Sequence, residues 1–172
     1  MTTPDTVTNI VVAGLGGQGV IKASDLIAAA AFAAGLDVKK SEIHGMSQRG
    51  GSVASDVRFG RRVLSPMVPV GEADFLLVVA PDQVDNNRYV LRPGGVLLEP
   101  SLLDAVKLAS PRTLNVALVG ALSAFLPFDA AVWRAALDAT LASKIRAIND
   151  AAFAAGRTLG EQLAATRSAA AG

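Results

Sequence analysis

The chain reads as an α/β protein of Rossmann-like type, a mostly parallel sheet with helices on both faces, closed by a C-terminal helical pair. Three features carry that expectation. Short β-branched runs alternate with helical patterns, a glycine-rich turn joins the first run to the first helix, and helical patterns alone remain from Asn115 onward.

Residues 9–13, Asn-Ile-Val-Val-Ala, end in glycines and predict a buried strand that delivers its C-terminal end to a tight turn. From Val20 the apolar and alanine positions keep helical spacing to Ala34, and Gly35 stands where a left-handed cap is wanted. Residues 37–43 predict a second strand, and Lys39, Lys40 and Glu42 put it near an edge or at a ligand. Residues 45–52 are too rich in glycine and polar side chains for regular structure, whereas 53–59 alternate like a half-exposed strand.

Gly60-Arg61-Arg62 predicts a turn, and Pro66 and Pro69 forbid helix in the piece that follows. Residues 75–80 are the clearest buried strand. Asp82 is placed to cap a helix running to about Leu91, Arg92-Pro93-Gly94-Gly95 to form a turn, and Val96-Leu97-Leu98 to form the next strand. A buried helix is expected over 115–125, broken by Pro127. Asp129 then caps an amphipathic helix with Trp133, Leu137 and Leu141, and a further helix ends near Gly156. One domain over 1–172 is expected, with an alanine-rich tail from about 167 to 172 disordered.

Charge nearly cancels, 16 Lys plus Arg against 15 Asp plus Glu, which argues against a nucleic-acid or anionic-membrane partner held by diffuse attraction. The sequence has no cysteine, so no thiolate can hold zinc or an iron–sulfur cluster or act as a nucleophile. The short polar N-terminus lacks a signal-peptide core, and no apolar run reaches the roughly 18 to 20 residues that span a bilayer, so a cytoplasmic location is expected.

Two stretches carry possible chemistry. Gly14-Leu15-Gly16-Gly17-Gln18-Gly19 is a full G-x-G-x-x-G after a strand and before a helix, where backbone amides can approach a phosphate or carboxylate. Its glycines serve equally well for close strand-to-helix packing or for contact with a partner chain. A dinucleotide would want an acid about 20 residues on for ribose hydroxyls, and Glu42 is near that position, although an unusual glycine loop follows instead of a helix.

The second stretch is Glu42-Ile43-His44-Gly45-Met46-Ser47-Gln48-Arg49-Gly50-Gly51-Ser52. Arg49 beside two glycines can present its guanidinium to a carboxylate or diphosphate, or be a solvated arginine on a turn. His44 is the only histidine, without the companion ligands a metal needs. It and Glu42 are candidate proton carriers, against the plainer reading of hydrogen-bonded structural residues.

The pairing of these two motifs resembles the gamma-type domain of 2-oxoacid:acceptor oxidoreductases, and within them is most similar to the beta (small) subunit of indolepyruvate:ferredoxin oxidoreductases. Ser65-Pro66, Gly71-Glu72-Ala73-Asp74, Arg92-Pro93-Gly94-Gly95 and the Asn115 helix extend the likeness over most of the chain. The resemblance implies a part in the conversion of an aryl 2-oxoacid and coenzyme A to acyl-CoA and carbon dioxide, with electrons passed to ferredoxin. It implies that thiamine diphosphate and [4Fe-4S] clusters belong to a large alpha subunit, this chain holding neither alone. On that reading Gly14, Gly16, Gly17, Gln18, Gly19, Gln48, Arg49, Gly50 and Gly51 face the partner or its ligand. The alternatives are an independent NAD- or FAD-binding domain and a non-catalytic scaffold subunit.

Overall fold

The computed structural model describes residues 6–45 and 50–172. β1 (Thr8–Leu15) runs into the glycine turn, α1 (Val20–Ala33) returns along the sheet, and β2 (Asp37–His44) and β3 (Ser52–Gly60) lie side by side. After β4 (Ala73–Val78) come the single-turn helix α2 (Val84–Asn87), β5 (Leu91–Leu98), α3 (Leu114–Ser123), α4 (Ala130–Thr140) and α5 (Arg146–Ala170).

The strand order is β2-β3-β1-β4-β5. β1 pairs with β4, and β4 with β5, in parallel, while β3 is antiparallel to both β1 and β2. The α/β class holds, and β1, β2, β4 and β5 run in one direction as a mostly parallel sheet requires, with β3 alone reversed to make the sheet mixed. The reason is local: the seven residues between His44 and Ser52 are too few for a crossover, so the chain doubles back. β3 enters between β2 and β1, and its Val53, Ser55, Asp56, Val57 and Phe59 are buried, so it is more enclosed than its alternating pattern predicts. The polar β2 takes the edge, as its lysines and glutamate predict.

The two faces are covered unequally. Ile10, Val12, Val57 and Leu77 of the sheet share one core with Leu26 and Ile27 of α1, Leu118 and Leu122 of α3, Trp133 of α4 and Phe153 of α5. On the opposite face Val11, Ala13, Ala73, Leu76 and Val78 cluster with Leu91 and Leu97 of β5 and are covered by Val84 of α2, Val68 and Val90. Helices of length therefore pack on one face, and the other is closed by α2 and by an irregular strap over residues 61–72. That strap is tied down by polar anchors: Val63 N donates to Asp37 Oδ2 (2.7 Å), Val68 N to Asp56 Oδ2 (2.8 Å), and Arg58 Nη1 to the Ser65 and Met67 carbonyls.

Further expectations give way. The helix expected from Asp82 shrinks to α2 with 3-10 turns on either side, and Arg92-Pro93-Gly94-Gly95 belongs to β5. Pro93 lacks an amide to donate, and β5 is an edge strand whose pairing with β4 shifts register between Ala73 and Phe75, which accommodates it.

Asp129 does cap α4, its Oδ1 accepting from Val132 N at 2.9 Å. α4 lies mainly on α1 and α5 mainly on α3, and the two helices meet through the Trp133 and Phe153 rings, 5.4 Å between centroids, and the Arg134–Asp150 ion pair at 2.8 Å. α5 passes through Gly156, where a stop was expected, and on to Ala170. Gly156 is there for approach: a methyl on it would stand 1.7 Å from the Ala117 carbonyl oxygen of α3. The distal end of α5 is held by Arg167 Nη2, which donates to Gly94 O at 2.8 Å.

Candidate functional site

β1 ends at the centre of the sheet, and its carboxyl end opens into the glycine turn. Gly17 (φ +84°) and Gly19 (φ +81°) occupy the left-handed region, which side chains other than glycine rarely adopt. Gly14 answers a different need, since a methyl there would stand 2.3 Å from Val79 Cγ2. Gln18 turns its side chain back, its Oε1 accepting from Leu15 N at 2.9 Å, so it braces the turn itself. Gly16 N donates to Gly51 O at 2.9 Å. The two glycine motifs, separate in sequence, are one structure.

Beside the turn lies a cleft of about 610 Å³, lined by Gly17, Gln18, Gly19, Lys22, Val79, Pro111, Arg112, Leu114 and Asn115. Its described lining contains two cations and no acid. The first turns of α1 and α3 both reach it, and helix N-termini present unpaired amides and a positive dipole end. Asn115, buried, donates from Nδ2 to Gly19 O at 3.1 Å and fixes the two helix starts against each other. Lys22 Nζ is engaged with Thr140 O (3.1 Å), and the exposed Arg112 guanidinium has no hydrogen-bond or ion-pair partner among the described residues. Such a cleft suits an anionic group.

On the other side of the turn Lys40, Glu42 and His44 share the face of β2 that looks toward α1, as alternate residues of a strand do. Lys40 Nζ lies 2.5 Å from Asp25 Oδ1 of α1 and 3.0 Å from Glu42 Oε1, and Glu42 Oε2 lies 3.7 Å from His44 Nε2. The hydrogen bond and charge of Lys40 outweigh desolvation and hold the Glu42 carboxyl below the usual range, with a smaller contribution from His44. Burial works to lower the Lys40 ammonium, but its bonds to Asp25 and Glu42 and their charges prevail and raise it. His44 lines a second, mostly apolar cavity of about 240 Å³ together with Leu15, Gly16, Gly17, Gly19, Val20, Ile21 and Val53.

The structure thus brings Gly14, Gly16, Gly17, Gln18, Gly19, Gly50, Gly51 and His44 to one corner, with Glu42 just behind His44. Gln48 and Arg49 lie outside the described residues. Sequence reasoning missed Lys22, Arg112 and Asn115 at the cleft, and Asp25 and Lys40 behind Glu42. Asn115 had a signal, a lone amide opening an otherwise apolar helix. Arg112 had none, because only the fold carries it to the turn. No group of three or more His, Asp or Glu that could hold a metal occurs among the described residues.

A mixed α/β sheet with a glycine turn braced by a second glycine loop defines the class, and comparison supplies the family. Residues 9–104 match the pyruvate ferredoxin/flavodoxin oxidoreductase family, and the chain belongs to it. It is 48% identical over 91 residues to the indolepyruvate oxidoreductase subunit IorB of Thermococcus kodakarensis, a match covering 52% of this chain and 44% of that one. The chain thus spans about half the length of the curated relatives it matches. Among solved structures, the gamma subunit of a keto/oxoacid ferredoxin oxidoreductase from Geobacter sulfurreducens superposes with a TM-score of 0.75 at 20% identity, over 91% of this chain and 98% of that one. A 2-oxoglutarate:ferredoxin oxidoreductase from Magnetococcus marinus, solved with 2-oxoglutarate, coenzyme A and succinyl-CoA, gives 0.77 at 22% identity over 91% of this chain and 31% of that one. At these identities both show the fold.

Proposed function

We propose that this chain is one domain, the small subunit of an indolepyruvate-type 2-oxoacid:ferredoxin oxidoreductase. It supports the CoA-dependent oxidative decarboxylation of an aryl 2-oxoacid beside a large subunit, in the cytoplasm. The observation that carries the reading is the Gly16–Gly51 bond, which joins the two motifs by which the chain resembles that family into a single corner. Thiamine diphosphate in such enzymes supplies the electron sink for decarboxylation, and clusters pass the electrons on to ferredoxin. Both groups are assigned to the large subunit, and without cysteine this chain has no thiolate to ligate a cluster. Its own residues do other work: the cleft of Lys22 and Arg112 takes an anionic portion of the substrate or of coenzyme A, and His44, backed by Glu42, handles a proton at the glycine turn.

An independent NAD- or FAD-binding domain is disfavoured on topology. The ribose-binding acid of that fold ends a strand next to β1, but here β3 intervenes and Glu42 sits two strand spacings, about 10 Å, from β1. No helix of the described residues is long and apolar enough to cross a membrane.

The test is to purify the tagged chain anaerobically from its native host, identify what accompanies it, and assay arylpyruvate- and CoA-dependent reduction of a viologen dye. A large iron–sulfur, thiamine-containing chain with that activity is the expected result. A chain that emerges alone with bound NAD or FAD would overturn the reading.

A further inference from the structure

The charged row on β2 has a direction. Side-chain exposure rises from 21% at Lys40 to 36% at Glu42 and 62% at His44, so the row climbs from the α1 interface to the mouth of the glycine turn. Its inner end is anchored on another element by Asp25, which stands 2.5 Å from Lys40.

Glu42 divides its two oxygens, Oε1 to Lys40 at 3.0 Å and Oε2 toward His44 at 3.7 Å. A carboxylate is planar, so pinning one oxygen restricts where the other points. A free glutamate on an edge strand would rotate among solvated rotamers, and holding it in one costs side-chain entropy unless a partner offsets it. Lys40 is that partner. It can remain charged while mostly enclosed because two carboxylates flank it, and its tether to Asp25 keeps it from following Glu42 into solvent.

We propose that Lys40, held by Asp25, is a positioning residue that keeps the Glu42 carboxylate on the His44 imidazole at the glycine turn. The inference rests on the reading of His44 as the proton-handling group, and it adds the two residues that orient that group. The other charged side chains of β2, Asp37 and Lys39, pair with each other at 3.5 Å and stand outside the row.

His44 is the only histidine, so its ring resonances in the labelled full chain are unambiguous and report the ionisation of the carboxylate beside it. Followed from pH 2 to 6, the inflection due to Glu42 is expected to move upward in Lys40→Met, because the largest influence holding that carboxyl low is removed. Asp25→Asn should move it in the same direction by less, and Lys40→Arg should restore it. An inflection that stays in place in both Lys40→Met and Asp25→Asn overturns the positioning role.

The same variants are then assayed in the assembled complex. If Lys40→Met moves the Glu42 inflection yet leaves the pH–rate profile unchanged, positioning stands and the proton-handling reading of His44 falls. If the acid limb of the profile moves with the inflection, both hold.

Discussion

Asn115 at the start of α3 donates to the carbonyl of Gly19, the residue before α1, at 3.1 Å across 96 residues of sequence. The bond holds the starts of two helices around one cleft. Both partners are constrained, since a methyl on Gly19 would stand 2.3 Å from Asn115 Nδ2 in a backbone conformation already unfavourable to side chains. Asn115→Ala leaves the Gly19 carbonyl without this donor and should cost about 1–3 kcal/mol in urea unfolding of the full chain. Gly19→Ala should cost more, adding left-handed strain of about 1–2 kcal/mol to the collision.

The α3–α5 contact makes a second case. Methyl groups on Gly120, Gly156 and Gly160 would stand 2.1, 1.7 and 2.2 Å from carbonyl oxygens of the facing helix. Backbone, unlike a flexible side chain, cannot step aside without moving the helix. Gly156→Ala is expected to destabilise the chain toward the upper end of about 1–3 kcal/mol, measured by thermal or urea melts. Gly35→Ala is the comparison: its added methyl meets open space, leaving only strain at φ +80°, about 1 kcal/mol.

These glycines show what a linear reading sees and what it does not. β1, α1 and the glycine turn were legible because each depends on neighbouring residues: β-branched side chains for the strand, helical spacing for α1, and glycines at the turn. The mixed pairing was not, because strand direction depends on where β3 inserts, which no local pattern encodes. Gly156 looked like a stop because glycine ends helices more often than it packs them, and only α3 opposite shows otherwise. At the site, His44 and Glu42 stood out by residue type and motif. Lys40 read as ordinary edge-strand polarity until Asp25 of α1 appeared beside it.

Asp56 gives a pH-dependent prediction. Burial pushes its carboxyl up, and the amide of Val68 and the charge of Arg58 only partly offset this. A raised carboxyl favours folding most below its ordinary, unfolded value near 3.8, and that contribution is lost as pH rises through the higher folded value. Asp56→Asn keeps an oxygen for the Val68 amide and removes the charge. The variant should therefore gain stability relative to wild type as pH is raised from about 3.5 to 7, read as a growing difference in urea midpoint. A difference that shrinks over that range would mean the charge is stabilising where it lies. Asp37 runs the opposite way: the Val63 amide and Lys39 hold its carboxyl down despite desolvation, so its contribution is present above the ordinary value and is lost on acidification.

Arg112 separates binding from stability. Its guanidinium is exposed and has no partner among the described residues, yet it lines the cleft where the starts of α1 and α3 converge. Removing an unengaged surface side chain should leave the urea midpoint within about 0.5 kcal/mol of wild type. A charge-assisted bond to an anion contributes roughly 1.5–3 kcal/mol, so Arg112→Ala should weaken pyrophosphate binding to the full chain about tenfold or more. Titration followed by the amide resonances of Gly17 and Gly19 measures this directly. Raising the salt should reduce the difference between wild type and variant, because screening acts on the long-range part of the attraction. If pyrophosphate moves those amides equally in both proteins, Arg112 is a solvated surface charge and the cleft draws anions through its helix ends and Lys22 alone.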